Sequence, residues 1–370
     1  MTIYEKLTIF FLTTLGFIFG FAGLVFPHQK DLLIWTSSSS FQAQRLHIFF
    51  FNLIVGGTVI LWFTNKESKF SKNTWLYLTT SFIFSTSVFL NLYIISLISG
   101  IILVFLVERV RINHFGFFPF SFFDYKVPVG RKFHLASLLC LSIGLILAEL
   151  TILNNYYLKL ISPNILPLNY FYLGFSFPLS LIIFSIIYDI IDQKDNPKLK
   201  LQKEVSFWFV NIGVIIFFIF IIFKMVIGEI FCAVLLTIFI LLTIYLFFKN
   251  TSYFRNKKLL ISGMFFLVLT SLTGLSMIFL QSFYSNIPRY QFLNSLLLQM
   301  HGYLALYGWS LSGLIVIIKN LDIQQKFQNN KKILIHWFLL STLVPTGILN
   351  FWIAILAISI FIIYFWSVLI

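Results

Sequence analysis

Long apolar runs separated by short polar loops make up most of the chain, a pattern that predicts transmembrane helices. With about 20 apolar residues allowed for each span, we expect an all-α fold with twelve transmembrane helices. Their predicted ranges are 7–26, 46–64, 74–89, 91–108, 133–153, 168–190, 206–225, 229–248, 258–281, 295–318, 333–348 and 350–369.

Three of these divisions interrupt longer apolar runs, near Asn91, at 224–229 and at 345–350. With the N-terminus inside, 21 of the 26 lysine and arginine residues fall on the inner side of the membrane. This asymmetry supports the first two divisions and predicts a cytoplasmic N-terminus. The twelfth span, and with it a cytoplasmic C-terminus, depends on its length and on the proline and glycine before it.

The composition supports the same class, because 59% of the 370 residues are hydrophobic, 10% are charged and the mean hydropathy is +0.95. No repeat or separate polar block is evident, so residues 1–370 are predicted to form one domain in the lipid bilayer. The net charge of +14 lies in short loops, where it sets topology and does not indicate nucleic-acid binding. The richness in Phe, Ile, Lys and Asn indicates an AT-rich bacterial genome, and hence the bacterial inner membrane.

The first apolar run is too long for an ordinary signal peptide and has no clear cleavage site, so we interpret it as an uncleaved span. Cys140 and Cys232 both lie inside apolar spans, which argues against a disulfide framework.

A histidine interrupts the tenth span, and an ionisable residue within a span is a hypothesis for a functional site. Ala305, Gly308 and Ser312 follow His301 at helical spacing on one face, and all three are small. Such a face can accommodate a flat ligand such as a haem. The alternative is that the small residues let two helices pack closely, while His301 bonds to the backbone of a neighbouring helix.

The predicted topology puts two histidines at similar depth in the outer half of the membrane. His47 lies at the outer start of the second span, and His301 lies ~10 Å below the outer start of the tenth. Two neutral imidazoles from separate helices can ligate a haem iron from both sides, if an acceptor orients each second ring nitrogen. His134 and His336 follow basic residues at inner span starts, where we expect interfacial anchors, and we assign them no role.

The stretches around these histidines read RLHIFFFNLIVGGTVIL and QMHGYLALYGW. Together with twelve spans and cytoplasmic termini, they resemble the catalytic subunit of haem-copper oxidases and their divergent relatives, such as the NnrS family. The resemblance implies that His47 and His301 are the axial ligands of one low-spin haem b near the outer face. It also implies electron transfer, redox or gas sensing, or protection against nitric oxide, with an electron donor or a partner membrane subunit.

Two departures from this family concern the oxygen-reducing centre. Gln299 stands where the family has the histidine of the high-spin haem, and the spans 168–190 and 206–225 lack the histidines that bind copper. We therefore expect no terminal-oxidase activity, and whether the chain is an enzyme stays open.

Glu149 is the one carboxylate well inside a predicted span. Alone in hydrocarbon it would be protonated or paired, and it could lie on a path for protons or substrate. Alternatively, it lies just under the surface and reaches water at the loop around Asn154 and Asn155.

A second class of function is a secondary transporter or permease without a cofactor, with Glu149 as its central residue. Twelve spans with both ends inside also suit that class, although we find no internal repeat and no matching pair of interrupted spans. A third possibility is a structural or assembly subunit whose partner carries the chemistry.

Overall fold

The computed structural model describes residues 1–25, 43–161, 174–191, 196–251, 256–284, 290–320 and 330–370. These residues form helices and connecting turns with no strand among them, which confirms the predicted all-α class. Within these ranges, ten helices are long and apolar enough to cross a membrane. The chain is therefore a multi-pass membrane protein.

We number the α-helices of the described residues in chain order. They are α1 (Ile3–Val25), α2 (Ala43–Ile48), α3 (Gly57–Thr64), α4 (Lys72–Phe89), α5 (Tyr93–Phe115), α6 (Val129–Leu153), α7 (Phe177–Ile190), α8 (Pro197–Ile222), α9 (Val226–Asn250), α10 (Lys257–Phe283), α11 (Tyr290–Tyr303), α12 (Leu311–Asn320), α13 (Asn330–Phe338), α14 (Val344–Leu349) and α15 (Phe351–Leu369). Four π-helical segments continue or join these helices, at Phe49–Gly56, Asn154–Leu158, Leu304–Ser310 and Leu339–Leu343, and short 3₁₀ turns occupy Phe120–Phe122 and Gly174–Ser176.

Each of the twelve predicted spans contains a helix of the described structure. Two of these helices are not among the ten long apolar ones. One is α4, whose many serines and threonines make it less apolar. The other is α7, which is part of the shorter apolar helix Gly174–Ile190. Its predicted span, 168–190, begins in the range 162–173, which lies outside the described residues.

The structure confirms the three predicted divisions as helix breaks. Asn91 and Lys224 adopt positive φ angles of 58° and 54°, a left-handed conformation that ends a helix. At the third break, the side chain of Asn350 accepts hydrogen bonds from the main-chain N–H groups of Trp352 and Ile353, which caps α15. Local backbone chemistry thus divides each long apolar run into two antiparallel helices.

Two spans lie at the centre of the protein, Leu46–Thr64 and Phe292–Lys319. In each of them 83% of the apolar stretch is buried inside the protein, against 67% or less in the other eight long apolar helices of the described residues. Lipid tails are as apolar as these side chains, so the hydrophobic effect does not drive the helices together in a membrane. The burial of the two spans comes instead from close packing against neighbouring helices. These two central spans carry His47 and His301.

Candidate functional site around two buried histidines

His47 lies beside the segment of α11 that carries His301. The Nε2 atom of His47 is 3.6 Å from the position that a Cβ would occupy at Gly302, the residue after His301. The ring of His47 is also 6.5 Å, centroid to centroid, from the ring of Tyr303. The ring of His47 therefore lies at the same height along α11 as the residues that directly follow His301.

The ring of His301 points from α11 towards α10. Its Nδ1 is 3.0 Å from the main-chain carbonyl oxygen of Thr270 and 3.4 Å from the hydroxyl of Thr273. A carbonyl oxygen can only accept, so Nδ1 carries the proton and donates it to Thr270. Nε2 is left with a lone pair and has no hydrogen-bond partner among the described residues. The acceptor that we required for an oriented ligand histidine is thus present at His301.

The ring of His47 is held by packing alone within the described part of the chain. Its Nδ1 is buried and has no hydrogen-bond partner there. A Cβ at Gly20 of α1 would lie 3.5 Å from that nitrogen. Most buried polar atoms in proteins have a hydrogen-bond partner. Among the described residues, Nδ1 of His47 lacks one.

Glycines surround the two imidazole rings on three helices. Gly20 and Gly302 face His47, and a Cβ at Gly274 of α10 would lie 3.1 Å from Cε1 of His301. A Cβ at Gly274 would be tight against the His301 ring, whereas a Cβ at Gly20 or Gly302 would be in ordinary contact with the His47 ring. Glycine thus adds no side chain of its own next to either ring at these three positions.

The small-residue face that we expected to receive a flat ligand is filled by α10. A Cβ at Gly308 would lie 2.6 Å from the Phe266 ring, and a Cβ at Gly263 would lie 2.8 Å from Ser312. These contacts, with the bond from His301 to the Thr270 carbonyl, are the close helix packing described by the alternative interpretation. The packing of α10 therefore leaves no room for a planar ligand along this face.

Three of the in-span histidines precede π-helical segments by two or three residues. His47 precedes Phe49–Gly56, His301 precedes Leu304–Ser310, and His336 precedes Leu339–Leu343. In a π-helix the hydrogen-bond register shifts to i→i+5, and such segments are frequent at functional sites. We see no signal for these segments in the residue pattern, because the spans remain apolar and helical throughout.

His336 lies in the core, which corrects our expectation of an interfacial anchor. Its side chain is 0% exposed, and its Nε2 donates to the main-chain carbonyl of Tyr307 at 2.7 Å. The ring stacks on Tyr364 with centroids 4.8 Å apart. The basic residues before it suggested the surface, but the ring points inwards from α13.

The remaining histidines are separate from this site. His134 is half-buried, and its Nε2 lies 2.8 Å from the hydroxyl of Thr64. His114 is exposed and contacts the side chain of Asn65 at 3.1 Å. His28 lies outside the described residues.

Glu149 belongs to a different part of the molecule, the contact between α6 and α5. Both of its carboxylate oxygens are buried without a hydrogen-bond partner among the described residues. The side chain of Asn154 is instead bonded to the main chain of Ile161. No contact in the described structure joins Glu149 to either histidine of the site.

Our sequence analysis missed a buried ion pair between Lys132 and Glu204. The Nζ atom of Lys132 is 2.7 and 2.8 Å from the two carboxylate oxygens, and the side chains are 1% and 8% exposed. Both residues adjoin other charged residues in the sequence, which made them look like solvated ends of spans.

A haem between His47 and His301 needs two imidazole nitrogens with lone pairs at one depth. The two imidazoles fit the role of iron ligands. The tautomer of His301 is fixed by its hydrogen bond to Thr270, and His47 has a buried nitrogen without a partner among the described residues. The small-residue face does not fit the macrocycle, because α10 occupies it. Within the described part of the chain, no three histidine, cysteine or acidic side chains converge on one metal ion.

Comparisons of the chain with protein-family models, curated proteins and solved structures find no match.

Proposed function

We propose that this chain is a haem-binding, oxidase-like membrane protein that holds one low-spin haem b through His47 and His301, near the outer face. The observation that carries the proposal is the position of His47 beside Gly302, the residue after His301, where the two most buried long spans of the described residues meet. The bond from Nδ1 of His301 to Thr270 supports it, because it leaves Nε2 as the ligating nitrogen.

When bound, such a haem supplies a one-electron carrier or a centre for binding small gases. The chain's own contribution is to orient the His301 ring through Thr270 and to keep bulky side chains away from both rings. The proposed role is electron transfer, redox or gas sensing, or protection against nitric oxide. Reduction of oxygen is not part of the proposal, because Gln299 replaces the family's histidine for the high-spin haem.

The decisive measurement is a reduced-minus-oxidised visible spectrum of the full chain purified from haem-sufficient cells. We expect a low-spin b-type spectrum at about one haem per chain. His47→Ala and His301→Ala should each abolish the low-spin signal, whereas His114→Ala, which changes an exposed ring, should leave it intact. A flat spectrum from the folded wild-type chain would overturn the proposal. The contacts of His47 and His301 would then be helix packing, and the cofactor-free permease would become the better candidate.

The proposed topology is twelve spans with both termini in the cytoplasm of a bacterium. It is supported by the 21 of 26 basic residues that fall on the inner side. Alkaline phosphatase fused after Ile370 should be inactive, and a fluorescent protein fused there should fold and fluoresce. Insertions of the same reporters at Lys159 should give the reverse pattern. Phosphatase activity at Ile370 would contradict this arrangement.

A further inference from the structure

Glu149 lies deep in a long apolar helix, away from the proposed haem site. The apolar helix Val129–Leu158 has 30 residues, and Glu149 is nine residues, or ~14 Å, from its C-terminal end. Its neighbours Ile146 and Leu150 are 40% and 55% exposed on the lipid side. The Glu149 side chain turns the other way and is only 8% exposed.

The carboxyl group of Glu149 occupies a seat made by Gly100 on α5. A Cβ at Gly100 would overlap Oε1 and Cδ of Glu149, so only glycine leaves room for the group. Ser96 lies about one turn before Gly100, and Ser99 directly precedes it. Their hydroxyls donate hydrogen bonds to the main-chain carbonyls of Leu92 and Ile95. Neither carboxyl oxygen has a hydrogen-bond partner among the described residues.

The charged residues of the packed helices lie away from this seat. On α5, Glu108 and Arg111 form their own ion pair eight or more residues beyond Gly100, a rise of at least ~12 Å. On α6, Arg131 and Lys132 are 17 or more residues before Glu149, and Lys132 is paired with Glu204 of α8. On α7, Asp189 faces Gly130 at that same far end. On the other side, Lys159 follows the helix ten residues after Glu149.

An ionised carboxylate in hydrocarbon without water, donor or counter-charge is strongly unfavourable, whereas the protonated acid is tolerated. A sodium ion would need several further oxygen ligands, and the other carboxylates of the packed helices, such as Glu108 and Asp189, lie away from this group. We propose that Glu149 is a membrane-embedded proton-binding site that holds its proton in the closed contact between α5 and α6. Release of the proton requires water to reach the carboxylate, so proton release is linked to opening of this contact.

The test uses carbodiimides, which add to a protonated carboxyl group and, after an acyl shift, leave a stable N-acylurea. The full chain in liposomes is treated at pH 7.5 with the apolar dicyclohexylcarbodiimide or with a water-soluble carbodiimide, and modified residues are located by mass spectrometry. We expect the apolar reagent to modify Glu149 about a hundredfold more than the exposed loop residue Asp124. The water-soluble reagent should leave Glu149 unmodified.

Two variants separate a proton site from a merely reactive residue. Glu149→Gln should fold, because the amide has the shape of the protonated acid, and it should lose the modification. Gly100→Ala should expel the carboxyl group from its seat, so that Glu149 reacts with the water-soluble reagent. Protection of Glu149 by sodium ions would overturn the proposal in favour of a cation site. Equal modification of Glu149 and Asp124 by the apolar reagent would also overturn it. Because the assay needs no haem, its failure is distinguishable from failure of the proposed haem site.

Discussion

The imidazole of His336 donates a hydrogen bond from Nε2 to the main-chain carbonyl oxygen of Tyr307, 2.7 Å away on another helix. Tyr307 lies in the π-helical segment Leu304–Ser310, where the changed register leaves main-chain groups for partners outside the helix. Tyr77 makes a similar bond, from its hydroxyl to the carbonyl of Leu53 in Phe49–Gly56, at 3.1 Å. Side chains of neighbouring helices thus stabilise the π segments of both central spans.

Removing the His336 ring should destabilise the fold. His336→Ala leaves the Tyr307 carbonyl without its donor and removes a fully buried ring that stacks on Tyr364. We expect the free energy of unfolding to fall by about 2–4 kcal/mol, measured by denaturation of the purified protein in detergent. His114→Ala, a change at an exposed ring, is the control and should alter it by less than ~0.5 kcal/mol. Equal midpoints for the two variants would show that the buried bond contributes little.

Gly308 and Gly144 provide a matched test of how tightly α10 covers the small-residue face. Alanine at Gly308 would put a Cβ 2.6 Å from the Phe266 ring, whereas alanine at Gly144 would meet Phe175 at an ordinary 3.5 Å. We expect Gly308→Ala to lower the free energy of unfolding by about 1–3 kcal/mol through overpacking. Gly144→Ala should leave it unchanged or raise it by up to ~1 kcal/mol through helix propensity. A tolerated Gly308→Ala would mean that this face is open.

The positions of the helices could be predicted because they depend on local properties of the chain. The length of each apolar run reflects the thickness of the bilayer, and single residues such as Asn91 and Asn350 end or begin a helix through their own backbone and side chain. The same reasoning put His47 and His301 at one depth. In the structure Nε2 of His47 lies 3.6 Å from the position that a Cβ would occupy at Gly302, the neighbour of His301.

The partners of buried polar groups could not be predicted, because they depend on which helices pack together. Lys132 and Glu204 are 72 residues apart, and nothing near either residue indicates the other. His336 follows two lysines, so its sequence context suggests the surface although its ring is in the core. The π segments depend on a hydrogen-bond register that the apolar pattern does not specify. Glu149 was recognisable as unusual, but its seat at Gly100 depends on the packing of α5.

The pair formed by Lys132 and Glu204 gives the strongest test of this long-range packing. Removing one member leaves an unpaired buried charge, so Lys132→Met and Glu204→Leu should each lower the free energy of unfolding by about 3–5 kcal/mol. The double variant Lys132→Met, Glu204→Leu should recover much of that loss, because it leaves no isolated charge. Lys72→Met, at an exposed lysine, is the control and should change the value by less than ~0.5 kcal/mol. Strictly additive losses in the double variant would argue that the two side chains do not interact in the folded protein.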